Sequence, residues 1–182
     1  MTQNLPRIIA ICGRKRTGKD TIAQHLCEKY GYKNAKFADP LKQAVKGLFG
    51  FTDRQIEVDK EELDPFWGIT PRNAMQFIGS HVVQFEFQKL LPGISRDFFV
   101  KSLLAKYENQ HIVISDMRFK HEYDAIQRIE GSLIIKVTRD VEDLDTHISE
   151  IEVDEIHPEC CVHNNGTIKM LIERIDHILG KN

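Results

Sequence analysis

Residues 13–21 read Gly13-Arg14-Lys15-Arg16-Thr17-Gly18-Lys19-Asp20-Thr21, and this G-x-x-x-x-G-K spacing leaves the chain few folds to choose from. Before it stands RIIAIC (7–12), a short β-branched run that reads as a buried strand. After it Ile22, Ala23, Leu26 and Cys27 recur at helical spacing until Gly31. A strand, a glycine loop and a helix in that order form a phosphate-binding loop. The glycines let the backbone fold into a nest of N–H groups, and the helix N-terminus adds positive potential. Lys19 then reaches the outer phosphates, so Gly13 to Thr21 are the expected ATP-binding residues.

One position departs from the common pattern. The residue after the loop lysine is Asp20, and the hydroxyl follows one place later at Thr21. A hydroxyl after the lysine ordinarily binds Mg²⁺ directly. A carboxylate at this helix end faces the same ground, where it holds Mg²⁺ through water or orients an acceptor phosphate. The competing reading is an ordinary carboxylate stabilised by the helix dipole.

The rest of the chain alternates. NAKF (34–37) reads as a second strand, and Pro40 opens a helix carrying Leu41, Ala44, Val45, Leu48 and Phe49. HIVIS (111–115), SLIIKV (132–137) and CCVHN read as further strands, the last at an edge, with a helix over EYDAIQRI and another over 167–179. Between them, residues 52–107 hold no convincing strand. TPRNAMQFIGSHVVQFEFQKLL (70–91) begins with a Thr cap and Pro at the first helical position, although VVQFEF also fits strand alternation. SRDFFVKSLLAKY (95–107) is a second capped amphipathic helix. The expected architecture is a three-layer α/β fold of the P-loop kinase type, a parallel sheet flanked by helices, in one domain over 1–182. Residues 52–107 become its helical acceptor-binding region and lid.

Bulk properties exclude several classes. A formal net charge of −2 argues against broad nucleic-acid binding. No apolar run approaches the ~20 residues of a membrane span, and no secretory signal is evident, so the cytoplasm is expected. The four cysteines, Cys12, Cys27, Cys160 and Cys161, lack disulfide-framework spacing. With His157 and His163 the last two give too few convergent ligands for structural zinc, and buried strand thiols are the plainer reading.

The chain lacks the N-K-x-D and D-x-x-G of switch GTPases. After HIVIS comes Asp116-Met117 rather than an Asp-Glu pair that would activate water, which suits a kinase transferring phosphate to another acceptor. Arg118 and Glu122 follow the same strand end, four residues apart, as a surface ion pair or as site residues. Arg suits phosphate because its planar fork binds two oxygens and stays charged. Lys42, Arg72, Arg96 and Arg139 are further cation candidates.

The blocks GRKRTGKDT, FADPLK (37–42), TPRNAMQFIGS (70–80), RDFFVKSLL (96–104), ISDMRFKHE (114–122), DTHISE (145–150) and NNGT (164–167) occur in the order seen in phage-type deoxynucleoside monophosphate kinases. The chain resembles that family over nearly its whole length. The resemblance implies ATP and Mg²⁺, with ATP and a nucleoside monophosphate as partners and a homodimer left open. It places Lys19, Asp20, Arg16 and Arg118 at the reaction centre, and Arg14 to Arg16 with Arg139 on ATP. Thr21, Lys42, Arg72, Arg96, Phe98, Asp116, Glu122 and Glu150 would lie near the acceptor. Phe98-Phe99 stands where the family often has Trp, and the middle region is shorter than in the larger phage enzymes. Animal-type phosphomevalonate kinases share a similar loop and strand-end D-x-R, and remain an alternative acceptor class beside a non-enzymatic ATP-binding module.

Overall fold

The computed structural model describes residues 5–94, 97–140 and 152–180. In chain order the elements are β1 (Ile8–Cys12), α1 (Lys19–Tyr30), β2 (Lys33–Ala35), α2 (Asp39–Phe49), α3 (Asp53–Glu57) and α4 (Pro71–Gln76). A π-helical stretch (Phe77–Glu86), α5 (Phe87–Leu90), α6 (Phe98–Lys106), β3 (Ile112–Met117), α7 (Lys120–Gln127) and β4 (Ser132–Thr138) follow. A 3-10 turn (Val153–Glu155), β5 (Cys160–His163) and α8 (Ile168–Gly180) end the described chain. They form two compact units, residues 1–36 with 105–182, and residues 37–104.

The first unit is built on a five-stranded parallel sheet in the order β2-β3-β1-β4-β5. Every residue of β1 is fully buried, as a continuous apolar run in a doubly covered parallel sheet requires. On one face Ile22, Ala23 and Leu26 of α1 and Leu171, Ile175 and Leu179 of α8 pack against Ile9, Ile11, Val113, Ile135 and Val162. Each large aliphatic buried this way contributes roughly 1.5–3 kcal/mol. The two helices are also tied by Asp176, whose carboxylate accepts from Lys29 Nζ at 2.7 Å and Tyr30 Oη at 2.9 Å, with His25 Nε2 2.6 Å away.

The second unit is helical, as its sequence predicts. Thr70 Oγ1 accepts the Asn73 N–H at 3.1 Å, so the expected cap opens α4. Thr52 and Gln55 form a reciprocal capping box at α3. Val45, Phe51, Ile56 and Ala74 make this unit's own small core. Gly79 permits a close approach, since a Cβ there would meet Leu41 Cδ2 at 2.7 Å.

One ambiguity is resolved and three readings are corrected. VVQFEF is helical, continuing α4 through the π stretch, because its neighbours already propagate a helix. β3 runs through Asp116 to Met117, since the β1 register shifts between Ala10 and Cys12 and lets Cys12 pair with Met117. β2 occupies 33–35 and stops before Lys36-Phe37. Cys161 is exposed rather than a buried thiol, because an edge strand turns one side to solvent. Among the described residues no helix is long and apolar enough to cross a membrane.

Candidate active site

The loop between β1 and α1 is held in a conformation that few side chains tolerate. Gly13 has φ 142°, Arg16 φ 61° and Gly18 φ 105°, all in the left-handed half of backbone space. A Cβ on Gly13 would lie 2.2 Å from the Val137 carbonyl oxygen, so only glycine lets the loop leave the sheet here. The buried Thr17 hydroxyl donates to the Arg14 carbonyl at 2.9 Å and closes the loop internally. Lys19 is 8% exposed, and its Nζ donates to the carbonyls of Gly13 at 2.7 Å and Arg14 at 2.6 Å. These bonds hold the ammonium across the loop's mouth.

Arg16, Gly18, Lys19, Asp20, Thr21 and Arg139 converge on one pocket of about 320 Å³, which Asn164, Gly166, Ile168 and Leu171 also line. Three cations and one carboxylate among these linings give the concavity a positive character suited to a polyanion. Asp20 and Thr21 supply the hard oxygen donors that suit Mg²⁺. Of the loop residues named from sequence, Arg16, Gly18, Lys19, Asp20 and Thr21 line the pocket, Gly13, Arg14, Lys15 and Thr17 do not, and Arg139 joins from the end of β4.

Beside the loop, β3 delivers Asp116 and Arg118. Met117 pairs with Cys12, the residue before Gly13, so both strand ends open on the same edge of the sheet. Glu122 is buried, and its Oε2 accepts the backbone N–H groups of Arg118 at 2.8 Å and Phe119 at 3.0 Å. Because α7 begins at Lys120, Arg118 and Glu122 share no helix face, and the surface ion-pair reading does not describe them. Burial pushes the Glu122 carboxyl up to about 8, against the opposing effect of the two backbone donors.

With this geometry in view, the chain matches the deoxynucleotide monophosphate kinase family over residues 7–70 and 54–175. It is 34% identical over 181 residues to a provisionally named deoxynucleotide monophosphate kinase of Acanthamoeba polyphaga mimivirus, covering 92% of this chain and 93% of that protein. The chain belongs to the deoxynucleotide monophosphate kinase family. It is a phosphotransferase that phosphorylates deoxynucleoside monophosphates, and membership implies ATP use. The match decides the acceptor class that the sequence motifs had shared with phosphomevalonate kinases. Solved structures support the fold alone. Shikimate kinase from Aquifex aeolicus is 15% identical with TM-score 0.51, over 96% of this chain and 97% of that chain. Dephospho-CoA kinase from Campylobacter jejuni is 14% identical with TM-score 0.51, over 96% of this chain and 98% of that one.

Other predicted residues of this kinase are engaged elsewhere. The Arg14 fork binds Asp154, with Nη2 2.6 Å from Oδ2 and Nε 3.3 Å from Oδ1. Within the 37–104 unit Lys42 pairs with Glu57 at 2.7 Å, Arg72 pairs with Glu61, and Phe98 packs edge-on against Phe87. Arg96 and Glu150, with His147 and Ser149, lie outside the described residues. Sequence reasoning missed Asp154, Ile168 and Leu171, and left Asn164 and Gly166 without roles. The NNGT block after the edge strand was the available signal for the last two.

Proposed function

We propose that this kinase transfers the γ-phosphoryl group of ATP to the 5′-phosphate of a deoxynucleoside monophosphate. An acceptor phosphate oxygen forms the new P–O bond as the β–γ bridging bond breaks, giving a deoxynucleoside diphosphate and ADP. The observation that carries this reading is the convergence of Arg16, Lys19, Asp20, Thr21 and Arg139 on one pocket at the loop. The backbone nest receives the ATP phosphates, and the Lys19 ammonium leaves its two carbonyls to follow the transferred group. Arg16 and Arg139 add charge from the pocket walls, and Gly166 and Ile168 leave room for the donor's base and ribose.

Asp20 and Thr21 are the residues that would hold Mg²⁺, which neutralises charge between the phosphates. Arg118 is assigned to the meeting point of donor and acceptor phosphates, with Asp116 beside it on β3. Lys42, Arg72, Arg96, Phe98, Glu122 and Glu150 are assigned to the acceptor on the family pattern, and the helical 37–104 unit to its binding. A coupled ADP assay over a panel of deoxynucleoside, ribonucleoside and phosphomevalonate acceptors tests the reading. Turnover with at least one deoxynucleoside monophosphate, exceeding that with phosphomevalonate, is expected. ADP release that ignores the nucleotide acceptor would sink it.

A further inference from the structure

Asn164 is one of the few polar residues buried among the described residues of this kinase, at 7% exposed. Its position is fixed from two sides. Its backbone N–H donates to the Thr138 carbonyl at 2.7 Å, anchoring it to the end of β4. Its side-chain Nδ2 donates to the Thr17 carbonyl at 2.9 Å, inside the phosphate loop and 147 residues away in sequence. The fit is tight, since a Cβ on Gly18 would meet Asn164 Nδ2 at 2.8 Å and Leu171 Cδ2 at 3.0 Å. The amide thus lies directly against the Gly18 Cα.

The consequence follows from peptide geometry. In a planar trans peptide the C=O and N–H bonds point in opposite directions. A Thr17 carbonyl turned to Asn164 therefore turns the Gly18 N–H away from Asn164, toward the other side of the loop. Gly18 has no Cβ to restrain it, and φ of 105° is one of many values open to glycine. Without a partner for the Thr17 carbonyl this peptide is free to rotate, because glycine adopts either sign of φ at little cost. The partner must also be a donor, which a buried asparagine amide is and a carboxylate is not.

We infer that Asn164 is a positioning residue for phosphoryl transfer, holding the Thr17–Gly18 peptide with its N–H aimed at the donor phosphates. Asn164 also lines the pocket through the loop that leads into α8. One side chain thereby sets the orientation of the phosphate cradle while lining the same pocket. The inference rests on the phosphate-loop reading above, and its test separates the two.

The test uses the whole enzyme with ATP and with inorganic tripolyphosphate, which lacks base and ribose. Asn164→Asp keeps the shape and loses the donor, and Asn164→Leu keeps the volume and loses all polarity. Both are expected to lower kcat at least ~10-fold, less than the ~100-fold or more lost with a direct transition-state donor, because Asn164 acts through the Gly18 peptide. Both should weaken tripolyphosphate binding by a factor similar to that for ATP, with the acceptor KM little changed. A packing role alone would lower the melting temperature while leaving turnover and tripolyphosphate affinity of the folded protein at wild-type levels, and that result would overturn the inference. Should either variant fail to fold, the wild type decides. On adding tripolyphosphate, the Gly18 amide resonance should shift strongly and its exchange slow. Saturable binding with an unmoved Gly18 amide overturns the inference and leaves the phosphate-loop reading standing. A wild type that binds neither ATP nor tripolyphosphate takes both down.

Discussion

The carboxylate of Glu122 closes the turn that carries Arg118, accepting the Arg118 backbone N–H at 2.8 Å and the Phe119 N–H at 3.0 Å through one oxygen. Two backbone donors at a helix start are thus satisfied by a side chain three and four residues downstream. The arrangement fixes where β3 releases Arg118. It also places an acid in a dry site, with Asp116 near enough to oppose its ionisation further.

That burial gives a pH signature. An unfolded glutamate titrates near 4.5, and this one titrates near 8 in the fold. Between those values the folded state keeps a proton that the unfolded state has released, so this group's contribution to stability falls as pH rises across the window. Glu122→Gln should remove that component, and the variant should lose less stability than wild type between those limits. Urea unfolding at a series of pH values measures it. Identical slopes in both proteins would mean the two N–H donors keep the carboxylate ionised in the fold.

Arg118 sits on a backbone held in place independently of its own side chain, so its substitution probes the guanidinium alone. Arg118→Lys keeps the charge and loses the planar fork that spans two phosphate oxygens. A fall in kcat of roughly 100-fold, with unchanged melting temperature, is expected by analogy with other single transition-state contacts. Full activity in the lysine variant would remove Arg118 from the reaction centre.

Lys19 has a double role in the structure. Its ammonium bridges the Gly13 and Arg14 carbonyls, and it is the one loop cation that is buried. Lys19→Ala is expected to lower kcat by at least ~100-fold, with circular dichroism showing an intact fold. Near-normal kcat in a folded variant would show that another group carries the transferred charge.

Much of the scaffold and the loop part of the pocket could be read in the sequence, for reasons visible in particular residues. The loop was legible because its spacing is dictated by phosphate geometry and its two glycines occupy conformations that other residues strain to reach. Gly31 ends α1 in the left-handed conformation its position suggested, and Gly50 ends α2 the same way. Tertiary partners were not legible. Nothing local says that the Arg14 fork turns to Asp154, 140 residues on. Asn164 was visible only as part of a motif, because its chemistry lies in the Thr17 carbonyl opposite. The π stretch over Phe77–Glu86 was hidden for a different reason: apolar periodicity does not separate it from α-helix, and VVQFEF mimics a strand.

Asp20 offers the sharpest test of the site. It lines the pocket beside Lys19 and Thr21, one residue into α1, where many phosphate loops carry a Mg²⁺-binding hydroxyl instead. A carboxylate there adds negative charge beside the proposed phosphate site, a repulsion that a metal or an ordered water would offset together with Arg16, Lys19 and Arg139. The helix dipole alone would stabilise it by roughly 0.3–1 kcal/mol, too little to outweigh repulsion from a bound polyphosphate. Asp20→Asn, nearly the same shape without the charge, should therefore bind ATP about normally and lose most turnover. The loss should fall on kcat rather than on the KM for ATP, because the role belongs to the transition state. Titrating Mg²⁺ in the assay should show a weaker, right-shifted dependence in the variant. Wild-type turnover with an unchanged Mg²⁺ curve would reduce Asp20 to a helix-end carboxylate and return the metal to other oxygen donors.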